Sequence, residues 1–483
     1  RRTTVLLPTG SGKTSVGLWV IESLLAVAPE RAALVCAPYL PLLDQTVAAY
    51  RRDSRAVAEG RTRLLIVASK SATAGVAVTT DPKTIARFLR EAEAADAPAI
   101  VLSTYDSFDK VAQAEALLAR LARRRQTVQR ASSFCVSVFD EAHYMAGRGS
   151  KYALGLDDAI LRLPRRLFLT ATPRLYKAAP ARSASALLEA APAVARSMDD
   201  VSRFGRVAYR MSHQEGVAAG VVVDLRLLVF NVSADYERLV ARRPDVAVAV
   251  GEARLPREEA EMAVATSSAM QQYGLSNAFS FHATVPAARS FGATLQRLLP
   301  ALIDKPVAVE SVWGGMPARA RAAALERARA APRSVVTNPH LLATGIDAPD
   351  VDLIVLAAPR KSHHMILQMA GRATRVARDK AYGHVLLPVR AAAAAAGDDE
   401  EGGGGSAAID AGSFDTALSV LTAMIEEDEQ LQQRLEAAAS EAGRTGQPLD
   451  ASAVLGDRLV VDRSSVDVAV LGEGLSTVLL RLT

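Results

Sequence analysis

The chain has 483 residues, too many for a single core, and its length predicts about two to four domains. Half of the residues are hydrophobic but only 5% are aromatic, so the cores must be built from Ala, Val and Leu. The net charge of +5 and a pI near 9.2 suit a polyanionic partner, although arginine-rich coding also follows from genome base composition.

Cys36 and Cys135 both lie inside apolar runs, which makes them buried thiols rather than a disulfide or a metal site. The seven histidines show no zinc-like spacing with Cys or acids. No apolar run reaches membrane-spanning length, and no signal peptide is visible. These features predict an intracellular protein of a reducing compartment without a membrane partner. An opening directly on a strand suggests that upstream sequence is missing.

Residues 1–200 alternate apolar runs with helical patterns. Strands are predicted at 4–7, 32–37, 64–68, 99–103, 134–139 and 166–170. They are short and continuously apolar, as parallel strands covered on both faces should be. Helical patterns fall at 15–27, 41–50, 82–94 and 110–125. This alternation predicts a doubly wound α/β domain with ligands at the carboxyl ends of its strands. Between the first strand and helix lies Leu7-Pro8-Thr9-Gly10-Ser11-Gly12-Lys13-Thr14. A strand, a Gly-rich turn and a helix N-terminus make a phosphate cradle, with backbone N–H groups and the helix dipole favouring negative charge. Lys13 would reach the β- and γ-phosphates, and the Thr14 hydroxyl would bind Mg²⁺. Leu7 stands where the strict pattern has Gly.

A second alternation runs over 225–390, with strands predicted at 225–232, 278–282, 307–312, 334–337, 351–356 and 384–389. Helices are predicted at 258–273, 287–299, 318–330 and 363–373. No phosphate loop occurs in this half, so a duplicated core with a cleft between two lobes is expected. Residues 201–224 would connect the lobes. Residues 391–408 are a low-complexity linker of Ala, acids and Gly, and 409–483 a helical extension. The stretch 458–482 has strand character and either packs on the second lobe or begins another module.

Val136 to His143 is an apolar strand ending in two carboxylates and an imidazole. In P-loop nucleotidases an acid at the end of a neighbouring strand holds Mg²⁺, a role for which Asp140 is placed. Glu141 would orient and deprotonate the attacking water. Adjacent carboxylates need a nearby cation, which Mg²⁺ would supply. The bland reading is an acidic turn on a solvated edge.

Asp140-Glu141-Ala142-His143 resembles a DEAH box, and Pro8–Thr14 resembles motif I of superfamily 2 helicases. Similar motifs follow in the family's order. Residues 37–46 resemble motif Ia, 103–105 motif Ib, 170–173 motif III, 344–349 motif V, and Gln368 to Arg375 the QxxGRxxR pattern of motif VI. Residues 338–375 look like the restriction-subunit (ResIII-type) group, and 204–210 and 414–435 resemble its lead into the second lobe and its C-terminal helix.

The resemblance implies two tandem RecA-like P-loop NTPase lobes with parallel sheets, plus a small, mostly helical C-terminal extension. It implies an ATP- and Mg²⁺-dependent helicase or translocase acting on DNA, with RNA or a non-unwinding clamp as alternatives. Pro8 to Thr14, Gly345 and Asp347 would contact ATP. Lys13, Asp140, Glu141, Gln368, Arg372 and Arg375 would be catalytic, with Arg375 as the finger. Alone, Arg372 and Arg375 also read as a solvated helix face. Pro38, Gln45, Thr104 and Thr344 would touch nucleic acid; His143, Thr170 and Thr172 would couple the two sites. A partner subunit is left open.

Overall fold

The computed structural model describes residues 1–461 apart from 29–30, 70, 72, 74, 125–131, 148–150, 176–196, 253, 340–350, 359–362, 378–379, 390–417, 423, 426–427, 447–448 and 450. Thr344, Gly345 and Asp347, and the linker at 391–408, therefore lie outside the described residues. The chain divides into two compact units, the first Arg1–Met211 and the second from Ser212 onward. Each has the parallel, helix-flanked sheet of a RecA-like lobe.

The strands of the first unit are β1 (Arg2–Leu6), β2 (Ala32–Ala37), β3 (Arg63–Val67), β4 (Ala77–Thr79), β5 (Ala99–Thr104), β6 (Phe134–Asp140), β7 (Arg166–Thr170) and β8 (Arg206–Arg210). Their order in the sheet is β4-β3-β5-β2-β6-β7-β1-β8, and every pairing is parallel. The central strands β2, β5, β6 and β7 are buried along their whole length, which is why their sequences are mostly apolar, with polar residues mainly toward the strand ends. Leu34, Phe139 and Phe168 feed the core on one face; Val35, Val138 and Leu169 feed the other. The helix Lys13–Leu25 buries Leu18, Ile21 and Leu25 against that second face.

Residues 201–224, expected as a connection, are built into both units. β8 is fully exposed along its length yet pairs with β1. Gly205 makes this possible: its φ is +75°, and a Cβ there would sit 2.0 Å from the Arg2 carbonyl oxygen. The helix His213–Ala218, with a capping box from Ser212 and Glu215, then opens the second unit.

The second unit contains β9 (Asp224–Asn231), β10 (Asn277–Phe281), β11 (Ala308–Ser311), β12 (Ser334–Asn338), β13 (Leu353–Leu356), β14 (Tyr382–Val389) and β15 (Leu459–Val461). Their order is β11-β12-β10-β13-β14-β9-β15, again all parallel. The start of the 458–482 stretch thus packs on this unit, as β15 beside β9. The helix Glu429–Thr445 buries Leu431 and Leu435, and Asp428 caps it through Gln430 N–H and Leu431 N–H. Cys36 and Cys135 are buried free thiols. Among the described residues no helix is long and apolar enough to cross a membrane, and no His, Cys, Asp and Glu cluster could hold a metal ion by itself.

Candidate nucleotide site

The phosphate-loop segment of the first unit leaves β1 at its carboxyl end, with Leu7 N–H donating to the Thr170 carbonyl at 3.1 Å. Gly10 and Gly12 both have φ of +90°, left-handed backbone that lets the loop curl before the helix Lys13–Leu25 begins. Ser11 ties the curl by donating its hydroxyl to the Pro8 carbonyl at 2.7 Å. Lys13 is buried, its ammonium donating to the carbonyls of Leu7 and Pro8 at 3.3 and 3.2 Å. A cation is thus held inside a loop whose N–H groups open the helix.

β7 lies between β1 and β6, so the end of β6 reaches the same sheet edge two strands away. Asp140 is buried there, and Glu141 N–H donates to its carboxylate at 3.0 Å. Burial pushes the Asp140 carboxyl up to about 7; the adjacent Glu141 charge adds to the rise, and the Lys13 ammonium opposes it. Glu141 has φ +49° and ψ +49°, left-handed backbone that an L side chain adopts at a cost of about 1–2 kcal/mol. The strained turn turns its carboxylate back toward His143, whose Nδ1 lies 3.3 Å from Glu141 Oε2.

His143 is fully buried, and burial lowers its pKa, opposed by the neighbouring Glu141 carboxylate. Its Nδ1 is also hydrogen-bonded to the Thr170 hydroxyl at 2.9 Å. Thr172 N–H donates to that same hydroxyl at 3.2 Å. The acidic turn after β6 and the loop after β7 are therefore joined through one imidazole and one hydroxyl. The solvated acidic turn of the bland reading does not describe this site.

A buried carboxylate with a raised pKa and a half-buried neighbour, near a single ammonium, are a donor set that suits a divalent cation. Asp140 and the half-buried Thr14 at the start of the helix are the oxygen donors that fit Mg²⁺.

Other expected residues fall differently. Pro38 and Thr104 are buried, with the Thr104 hydroxyl turned to Ser107 at 3.0 Å, so neither offers a free side chain to a strand; Gln45 is half-buried. In the second unit Gln368 and Arg372, on the helix His363–Ala373, are buried, and Arg375 is half-buried. Arg375 forms a backbone bridge with Val222, and the Thr374 carbonyl accepts from Val223 N–H at 2.8 Å. Burial of Arg372 rules out the solvated helix face for that residue.

The sequence reading missed the aromatic surround of the acidic turn. Tyr105 donates its hydroxyl to the Asp140 carbonyl at 2.8 Å and stacks parallel to Phe139. Tyr144 packs on the His143 ring with centroids 4.4 Å apart. The signal available was the placing of tyrosines beside three of the motifs in a chain with few aromatics.

Residues 1–175 match the family model of the res subunit of Type III restriction enzymes, and residues 280–377 match the helicase conserved C-terminal domain. No curated protein sequence matches the chain. Among solved structures, it is similar to the ATP-dependent Type ISP restriction-modification enzyme LlaBIII bound to DNA, at 20% identity and a TM-score of 0.67, covering 99% of this chain and 31% of that one. It is also similar to a nuclease-deletion mutant of the Type ISP enzyme LlaGI in complex with a DNA substrate mimic, at 18% identity and a TM-score of 0.60, covering 100% of this chain and 30% of that one. The chain thus spans about a third of the length of these enzymes, and the likeness is one of fold.

Proposed function

We propose that this chain, whose two lobes resemble superfamily 2 helicases of the ResIII type, is the motor part of an ATP-dependent translocase or helicase acting on DNA. The observation that carries this reading is the strained turn at Glu141, tied through His143 to Thr170, on the sheet edge that bears the phosphate loop. Such strain persists where the surroundings over-determine it, and it clusters at sites of chemistry.

In this reading the N–H groups of residues 9–14 cradle the ATP phosphates, and Lys13 turns from the loop carbonyls to the β- and γ-phosphates. Thr14 and Asp140 would hold Mg²⁺, which when bound would neutralise charge on the phosphates. Glu141 orients the attacking water and accepts its proton. Asp140 to His143 act as a DEAH box. His143, Thr170 and Thr172 relay the state of the acidic turn to the loop after β7. From the second unit, Arg375 stabilises the charge that develops on the transferred phosphoryl group, supported by Arg372, Gln368, Gly345 and Asp347. ATP binding and hydrolysis then favour different arrangements of the two units, and the difference drives movement along the strand.

DNA is favoured over RNA by the match to a restriction-enzyme subunit and by the DNA-bound enzymes of the same fold. The net charge of +5 suits either polyanion. Displacement of a third strand from a DNA triplex, measured beside strand separation and ATP hydrolysis, tests the motor. Triplex displacement that needs ATP supports it, with or without strand separation. Hydrolysis without either displacement would leave a nucleic-acid clamp.

A further inference from the structure

Aromatic residues make up only 5% of the chain, yet four of its ten tyrosines form one run of contacts around the end of β6. Tyr105 and Tyr152 have ring centroids 5.4 Å apart, Tyr152 and Tyr144 6.4 Å, and Tyr144 and Tyr39 5.6 Å. The run starts where Tyr105 holds the Asp140 carbonyl and ends at the surface, where Tyr39 is 37% exposed.

Tyr39 follows β2 and is the N-cap of the helix Leu40–Asp53, but its side chain caps nothing. Ser, Asp or Asn at that position would satisfy one of the helix's free N–H groups. Tyrosine forgoes this. Its hydroxyl instead donates to the Tyr144 hydroxyl at 2.9 Å, with the two rings edge to face at 84°. Tyr144 lies against the His143 imidazole, and the Arg174 guanidinium, from the loop after β7, stands 5.7 Å from its ring centroid. β2, β6 and β7 are adjacent strands, so the loops of three neighbours meet on the Tyr144 ring.

We infer that Tyr39 and Tyr144 are positioning residues for hydrolysis: Tyr39 offers its exposed ring to a base of the bound strand, and the hydroxyl–hydroxyl bond carries that contact through Tyr144 to His143 and the Glu141 carboxylate. The inference rests on the nucleic-acid reading above and adds to it a specific contact and path. Stacking on a tyrosine tolerates any base, which suits a motor that moves without reading sequence. The inner end of the path is closely packed: His143 is fully buried, and the half-buried Tyr144 lies against its ring. Of the neighbouring residues expected to meet nucleic acid, Pro38 and Thr104 are buried, whereas Tyr39 is exposed.

The two parts of Tyr39 can be separated by titrating the ATPase of the full chain with a thymidine oligonucleotide. Tyr39→Ala removes the ring and should raise the half-saturating oligonucleotide concentration by about 10-fold or more. Tyr39→Phe keeps the ring and removes the hydroxyl. It should leave half-saturation within about 2-fold and lower the maximal stimulated rate by about 3-fold or more. Tyr144→Phe should match it, and the double variant should lose no more than either single one. Melting temperatures of the Phe variants should equal wild type. An unchanged half-saturation in Tyr39→Ala, or a wild-type maximal rate in Tyr39→Phe, would overturn the inference. So would losses that follow a lowered melting temperature, which mark a structural role. A wild type that no nucleic acid stimulates would fail the functional reading and this inference together; a stimulated wild type with unaffected variants would fail this inference alone.

Discussion

Replacing Thr170 by Val removes one buried hydroxyl and nearly preserves side-chain shape. That hydroxyl is bonded to His143 Nδ1 at 2.9 Å and accepts from Thr172 N–H at 3.2 Å. Thr170 and His143 are both fully buried, so water cannot take its place at the imidazole, whereas Thr172 is half-buried. Two polar groups each lose a partner, and a buried group left without one costs about 1–3 kcal/mol. Glu141 also shares His143 Nδ1 at 3.3 Å, which softens the loss at the imidazole, so the lower half of that range is expected for the first unit as a whole. At roughly 2–4 °C per kcal/mol for a unit of this size, melting should fall by several degrees. The effect on turnover should be larger. An imidazole no longer held from β7 no longer holds the Glu141 carboxylate, and kcat should fall about 10-fold or more, the range over which a displaced general base acts. The half-saturating ATP concentration should stay near wild type, because the loop from Pro8 to Thr14 is untouched. Thr170→Ser restores the hydroxyl and should restore kcat. Steady-state ATP hydrolysis at saturating nucleic acid, beside a thermal melt, reads both effects. Thr170→Val turning over at the wild-type rate would refute the link between His143 and Thr170 as a catalytic one.

Glu141→Gln should still bind ATP and nucleic acid and lose turnover by about 10²–10⁴-fold, measured by hydrolysis and by nucleotide fluorescence; normal turnover would remove Glu141 from the chemistry. Gly205→Ala places a Cβ 2.0 Å from the Arg2 carbonyl at a φ of +75° and should destabilise the first unit by at least about 2 kcal/mol, read as a lowered urea midpoint. In the second unit His384 stacks beside Tyr273, and burial, assisted by the Arg226 and Lys380 charges, lowers its pKa from 6.5 to about 4. The unfolded chain therefore binds the proton first as pH falls, so the stability His384 contributes is complete above about 6.5 and is lost toward pH 4, by about 3 kcal/mol in all and about 2 kcal/mol by pH 5. Trp313 lies in the same unit, so its fluorescence in urea at pH 7.5 and 5 should show the loss in wild type and a smaller one in His384→Gln.

The strands read most exactly from the sequence include central ones buried along their whole length. Residues 32–37 are a continuous apolar run and 166–170 have an apolar centre, and both begin and end in the structure where the sequence places them. β8, with the sequence RVAYR, is exposed throughout and has no apolar run to announce it. What makes it a strand is backbone pairing to β1, which the glycine at 205 permits. The phosphate loop and the acidic turn were legible because their chemistry is local in sequence. The contacts of the turn were not. His143 meets Thr170, and Tyr144 meets Tyr39, only because the sheet places β6 between β2 and β7, an order that spacing along the chain does not encode.

The claim that this is a nucleic-acid-driven ATPase working on DNA is tested most directly by the rate of ATP hydrolysis with single-stranded DNA, duplex DNA, RNA and no nucleic acid. The expected result is hydrolysis that DNA raises by about 10-fold or more, as differential stabilisation of the closed state by little over 1 kcal/mol would give, and that Lys13→Ala abolishes. A rate equal with and without nucleic acid, or raised by RNA alone, would contradict it.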